Sequence, residues 1–234
     1  MTVRVGVISF PGSNGDHDAL YAFQHELGVP ARLVDYRETD LAEFAVLVLP
    51  GGFSYGDYLR CGAIARFAPA MGALREFAER GGPVLGICNG FQVLTESHLL
   101  PGALLRNRTL RFHSHWTHVR IERSDTAWTA DVAEGTILRL PVAHGEGMYY
   151  ADDATLDRLE ENHQVVARYC DAGGGVSAEA NANGSVASIA AICNESRNVV
   201  GLMPHPERAA NCIVGGTDGL RLLRAALAVL SVSA

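Results

Sequence analysis

The sequence predicts an α/β fold built on one mostly parallel sheet. Short apolar runs recur that are too continuous to be half-exposed alternating strands, which suits parallel strands buried on both faces. Segments with a helical apolar stripe lie between them, and strand, helix, strand repetition implies a layered arrangement. With 234 residues, 48% of them hydrophobic, the chain can bury one substantial core, so a single domain over residues 1–234 is expected.

The elements follow in order. Residues 3–10 read as a first strand, and the next apolar runs lie at 31–34, 44–49 and 83–87. Between them, 16–27 carries Leu20, Phe23 and Leu27 on one helical stripe, and 64–80 carries Phe67, Met71, Leu74 and Phe77 on another. From about 104 to 140 the pattern changes. Alternating segments at 111–121 and 136–142 predict antiparallel strands added to the sheet or folded over it. The Gly-, Ala- and Asn-rich stretch 171–184 reads as a surface loop. Strands at 185–192 and 198–202 lead into the turn Met203-Pro204-His205-Pro206-Glu207, and 220–230 has the stripe of a closing helix.

Charge and composition narrow the chemistry. A formal charge of −7 argues against an electrostatic grip on nucleic acid or on an anionic membrane, leaving small molecules and proteins as the expected partners. The opening apolar run is too short for a signal-peptide core and too interrupted by Arg4 to span a membrane. Five scattered cysteines, an odd number without paired spacing, fit a reducing cytoplasm better than a disulfide framework. All nineteen basic residues are arginine. A phosphate-binding loop, a Schiff base and a Cys-Glu-Lys amidase each need a lysine and are excluded.

The decisive segment is Gly86-Ile87-Cys88-Asn89-Gly90, a buried strand running into a helix with cysteine at the corner and a glycine two residues to either side. This is a nucleophile elbow with cysteine in place of serine, and it exposes the thiol at the carboxyl end of the sheet. The helix N-terminus favours thiolate over thiol. By the logic of such elbows, one oxyanion donor is the Asn89 N–H, and the second comes from a loop after a neighbouring strand. Leu49-Pro50-Gly51-Gly52 is such a loop, with Gly52 N–H as the donor. The turn Pro204-His205-Pro206-Glu207 offers a base and its orienting carboxylate. Proline after His205 biases it toward extended backbone, in which residues two apart project to the same side.

The other cysteines, 61, 170, 193 and 212, read as inert packing, and most other histidines as structural. His113 and His115, with His118 beyond, alternate on a strand as metal ligands can. No acidic or thiol ligand accompanies them in sequence, and no metal site is assigned. Arg106, Arg108 and Arg111 form a basic cluster that reads first as a solvated face, with contact to a phosphorylated substrate or a partner as the second reading.

These residues resemble the class I, or triad, glutamine amidotransferases, over essentially the whole chain. The elbow and the His-Pro-Glu turn mark the wider family. Gly51-Gly52-Phe53-Ser54-Tyr55-Gly56-Asp57, Cys88-Asn89-Gly90-Phe91-Gln92, Ala143-His144-Gly145-Glu146-Gly147 and Asn183-Gly184-Ser185 resemble the branch serving formylglycinamidine ribonucleotide synthesis in the purine pathway. Siblings serving guanylate, cytidylate or carbamoyl phosphate synthesis usually carry Leu-Gly after the cysteine, where this chain has Asn89-Gly90. The resemblance implies a flavodoxin-like, doubly wound domain, a Cys88-His205-Glu207 triad, an oxyanion hole from Gly52 and Asn89, and Gln92 contacting the substrate glutamine. It further implies no cofactor in this chain, ATP and Mg being used by a partner. The partners are a large synthetase subunit, to which ammonia is channelled, and a small accessory subunit. The histidine-rich strand 111–119 is not part of the family signature. The competing readings are a glutaminase subunit of another amidotransferase, a Cys-His-Glu hydrolase acting on other amides, peptides or thioesters, and a noncatalytic relative of the fold.

Overall fold

The computed structural model describes residues 4–181 and 183–232. Val3, included in the expected first strand, and Ala182, in the expected loop, lie outside the described residues. Among the described residues eleven strands and five α-helices follow one another as β1 (Val5–Ser9), α1 (Asp16–Tyr21), β2 (Ala31–Asp35), β3 (Val46–Leu49), α2 (Pro69–Glu79), β4 (Val84–Ile87), α3 (Asn89–Glu96), β5 (Ala103–Leu105), β6 (His113–Ile121), β7 (Ile137–His144), β8 (Met148–Tyr150), α4 (Asp153–Glu161), β9 (Val165–Cys170), β10 (Ile189–Cys193), β11 (Val199–Leu202) and α5 (Asp218–Val232).

Nine strands form one sheet in the order β2-β1-β3-β4-β11-β10-β9-β6-β7. The first five run parallel and the remaining neighbours pair antiparallel, β6 and β7 among them as the alternating segments 111–121 and 136–142 predict. β1, β3, β4 and β11 are almost wholly buried, consistent with apolar runs covered on both faces. β5 and β8 form a separate two-stranded ribbon. The β4 to α3 corner lies between β3 and β11 at the carboxyl ends of the parallel strands, where open α/β sheets place their ligands.

Several local expectations are corrected. The helix expected over 64–80 is broken: a 3-10 turn (Ala65–Phe67) ends at Ala68, whose extended backbone is what a following proline imposes, and Pro69 opens α2 as its first residue. The break turns Phe67 away from the core, and it is 74% exposed, while Met71, Leu74 and Phe77 remain buried. The first helix passes into a π-helical stretch (Ala22–Glu26). The strand expected at 185–192 starts later, after a 3-10 turn, and runs Ile189–Cys193. The segments β5, β8, α4 and β9 are unassigned in the sequence reading. The start of α4 is set by a single cap, the Asp152 carboxylate accepting the Thr155 N–H at 2.8 Å.

Candidate active site

Cys88 sits at the corner with φ 51° and ψ −103°, a left-handed conformation costing a non-glycine residue on the order of 1–3 kcal/mol. Its neighbours hold it there. The Cys88 N–H donates to the Leu202 carbonyl on β11 at 2.8 Å. A side chain at Gly86 would strike Leu94 Cδ1 at 2.5 Å and the Gly90 backbone, and one at Gly90 would collide with the Leu49 carbonyl of β3. Both flanking glycines are therefore demanded by close backbone approach.

His205 arrives from the loop after β11. Its backbone N–H donates to the Pro141 carbonyl of β7 at 2.8 Å, which fixes its position against the antiparallel half of the sheet. Its Nδ1 lies 2.5 Å from Glu207 Oε1, both side chains being buried. The pairing expected from sequence is present, but its backbone reason is different. Only His205 is extended; Glu207 lies in a 3-10 turn (Pro206–Arg208) that brings its carboxylate back to the ring. Burial by itself opposes an imidazolium here, but the Glu207 and Cys88 charges and hydrogen bonds outweigh it and raise the pKa of His205 to about 10. His205 Nε2 is buried and meets no geometric hydrogen-bond criterion among the described residues, while the Cys88 sulfur is close enough to act on the ring. The two side chains meet beside Gly51: a Cβ there would lie 2.6 Å from His205 Cε1 and 3.6 Å from Cys88 Cβ.

Gly52 has φ +140°, and a Cβ would meet Asn14 N at 2.6 Å and Ser13 Cα at 2.8 Å, so only glycine can pass here. The Asn89 N–H is the first of α3 and has no helical carbonyl before it. The Asn89 side chain ties the elbow to its surroundings. Its Oδ1 accepts the Ser54 N–H at 3.1 Å, and its Nδ2 donates to Gln92 Oε1 at 2.8 Å and Asp57 Oδ1 at 3.3 Å. Gln92 Nε2 donates to the Glu146 carbonyl at 2.6 Å. Gln92 is thus partly committed to the protein, keeping one amide hydrogen and one lone pair free.

Sequence reasoning missed two groups. The first joins Asp57, Cys61 and Glu146 beside Asn89. Burial pushes the Asp57 carboxyl above the usual range, with the Glu146 charge adding and hydrogen bonds from Cys61 and Asn89 opposing. Burial likewise pushes up the Cys61 thiol, reinforced by both carboxylates, which makes it a poor nucleophile. The second joins the motifs 143–147 and 183–185. Asn183 Nδ2 donates to the Gly147 carbonyl at 2.8 Å and the Tyr169 hydroxyl at 3.1 Å, and Ala143, next to His144 in the chain, has its carbonyl 3.7 Å from Cys88 Sγ. Both motifs are visible in sequence, but nothing there announces their partners.

The remaining candidates are placed plainly. Cys170 and Cys193 are buried, Cys212 is exposed, and all are free thiols. His113 and His115 share a strand face with ring centroids 5.5 Å apart, while strand alternation puts His118 on the opposite face. Among the described residues no group of three or more His, Cys, Asp or Glu is arranged to hold a metal. Arg108 and Arg111 are exposed, and Arg106 lies 3.6 Å from Glu146. Among the described residues no helix is long and apolar enough to cross a membrane. A small pocket lined by Asn14, Gly52, Phe53, Phe112, His205 and Arg208 opens at the triad.

Comparison with known proteins identifies the family and the fold. The family model for the CobB/CobQ-like glutamine amidotransferase domain matches residues 2–215. A Thermomicrobium roseum protein named phosphoribosylformylglycinamidine synthase subunit PurQ is 61% identical over 227 residues, covering 97% of this chain and 96% of its own. A Rubrobacter xylanophilus protein of the same name is 58% identical over 226 residues, covering 97% and 98%. Among solved structures, a chain in the structure of PurLQS from Thermotoga maritima superposes with a TM-score of 0.85 at 40% identity, covering 98% of this chain and 100% of that one.

Proposed function

The chain belongs to the CobB/CobQ-like glutamine amidotransferase family, and we propose that Cys88, His205 and Glu207 are its catalytic triad in a glutaminase that feeds formylglycinamidine ribonucleotide synthesis. The observation that carries this reading is the strained elbow placing the Cys88 thiol against an imidazole whose other nitrogen is held by a buried carboxylate.

The chemistry follows from the geometry. The Cys88 sulfur attacks the side-chain amide carbon of glutamine, its proton passing to the adjacent His205 ring. The Gly52 and Asn89 N–H groups receive the developing oxyanion, each such donor contributing on the order of a hundred- to a thousandfold in rate. The tetrahedral species collapses with cleavage of the carbon–nitrogen bond, and the leaving nitrogen takes the His205 proton and departs as ammonia. His205, now neutral, removes a proton from water. The resulting hydroxide attacks the thioester, thiolate leaves, and glutamate is released. Glu207 holds the tautomer and stabilises the cation at each stage. Gln92 uses its remaining amide valences on the substrate while fixing Glu146.

The chain acts as one glutaminase domain and as a subunit of phosphoribosylformylglycinamidine synthase. Free ammonia is largely protonated at neutral pH, so it passes through protein to a large synthetase subunit that uses ATP and Mg, with a small accessory subunit completing the assembly. This chain itself carries no cofactor and binds neither nucleic acid nor membrane. Its site of action is a reducing cytoplasm, a reading supported by five free thiols. The test is synthesis by the reconstituted complex. Cys88→Ser is expected to abolish glutamine-dependent synthesis and leave ammonia-dependent synthesis intact; retention of the glutamine-dependent reaction would refute the assignment.

A further inference from the structure

A small cavity beyond Ala143 takes no part in the acyl-transfer steps. It is lined by His113, His115, Thr117, Val142, His144, Tyr169 and Asn183, and has about 10 Å³ of free space, room for one molecule the size of water. Its inner wall is close to the nucleophile. His144 adjoins Ala143, whose carbonyl is 3.7 Å from Cys88 Sγ, and Tyr169 and Cys88 interact electrostatically. Its outer wall reaches the exposed His115.

The hydrogen bonds around His144 fix what faces the cavity. Asn107 Nδ2 donates to the carbonyls of Arg111 at 2.9 Å and His144 at 2.8 Å, which uses both amide hydrogens and makes Oδ1 the acceptor. That oxygen accepts the Gly147 N–H at 3.0 Å and lies 3.1 Å from His144 Nδ1, so Nδ1 carries the ring proton. His144 Nε2 is then a bare lone pair, on a residue 4% exposed, with no hydrogen-bond partner among the described residues. A buried acceptor left so is destabilising unless something donates to it. Tyr169 accepts from Asn183, and among the described residues its own hydrogen is given to no acceptor. The cavity therefore offers one acceptor and one donor. Ammonia, with three hydrogens and one lone pair, matches both.

We infer that the ammonia released at Cys88 is received in this cavity between His144 Nε2 and the Tyr169 hydroxyl, the first station of its passage toward the synthetase. The inference rests on the glutaminase reading above. Burial, followed by the positive charge of His205, holds the pKa of His144 down to about 3, and burial, followed by His115, lowers that of His113. The buried His144 ring therefore has no proton to give to ammonia at its Nε2.

The experiment uses the complex with its synthetase, glutamine labelled with nitrogen-15 at the amide, and an excess of unlabelled ammonium. His144→Phe fills the cavity, and Thr117→Leu narrows it without touching Asn107 or His144. In the wild type the amidine product carries the label. In both variants labelled product is expected to fall by about tenfold while glutamate formation stays within about threefold. Unchanged labelling in either correctly folded variant overturns the inference. So does a parallel fall of glutamate and labelled product, the signature of a site for the hydrolytic water or of a merely structural role. Failure of the wild-type complex to form glutamate would instead overturn the glutaminase reading beneath it.

Discussion

Replacing Gly51 by alanine tests how tightly the nucleophile and base are set. Gly51 has no positive φ, so alanine is tolerated by its backbone, and the cost falls on what the new methyl meets. That is His205 Cε1 at 2.6 Å, where ordinary contact begins near 3.4 Å, so about 0.8 Å must be yielded. The loop cannot retreat easily, because the Gly51 carbonyl accepts the N–H groups of Asn14 and Gly15. The ring gives way instead, against its 2.5 Å contact with Glu207 and its anchored backbone. A displacement near 1 Å of a reacting group can cost about a hundredfold, which corresponds to about 2.7 kcal/mol of transition-state stabilisation. Steady-state kinetics of the reconstituted complex should show this loss in kcat for glutamine, with ammonia-dependent synthesis and the unfolding midpoint close to wild type. A kcat within about threefold of wild type would show that the imidazole has slack, and the tight-constellation argument would be wrong.

Other expectations follow from the same site. Glu207→Gln removes the charge that holds His205 cationic, so kcat should drop by on the order of a hundred- to ten-thousandfold. A kcat within about threefold of wild type in this variant would contradict the electrostatic role. Gly90→Ala forces a methyl onto the Leu49 carbonyl and should destabilise the fold by about 3 kcal/mol or more, read by denaturant unfolding. The pH dependence of stability has two arms. His144, with its pKa depressed to about 3, leaves the unfolded chain binding the extra proton between about 6.5 and 3, so stability falls as pH drops through that window by up to about 1.4 kcal/mol per unit. His205, raised to about 10, contributes stability that is complete below 6.5 and is lost as pH rises toward 10. The midpoint in His144→Gln should flatten on the acid side alone.

Much of this protein is decided by local chemistry and was therefore legible in its sequence. Continuous apolar runs can satisfy themselves only when buried on both faces, which gives the parallel strands β1, β3, β4 and β11. Glycines two residues either side of Cys88 serve a contact between adjacent segments, and the 205–207 turn places a carboxylate on its own neighbour's ring. Proline 69 was equally legible as a helix start, and the apolar stripe obscured it. What the tertiary structure alone decided are the meetings of residues far apart along the chain. The strand order that seats β11 beside β4 brings His205 to Cys88, and the Asn107, Tyr169 and Asn183 side chains converge on one cavity from separate segments. Nothing in the composition around those residues encodes their partners, because a hydrogen bond depends on distance and angle and the sheet sets both.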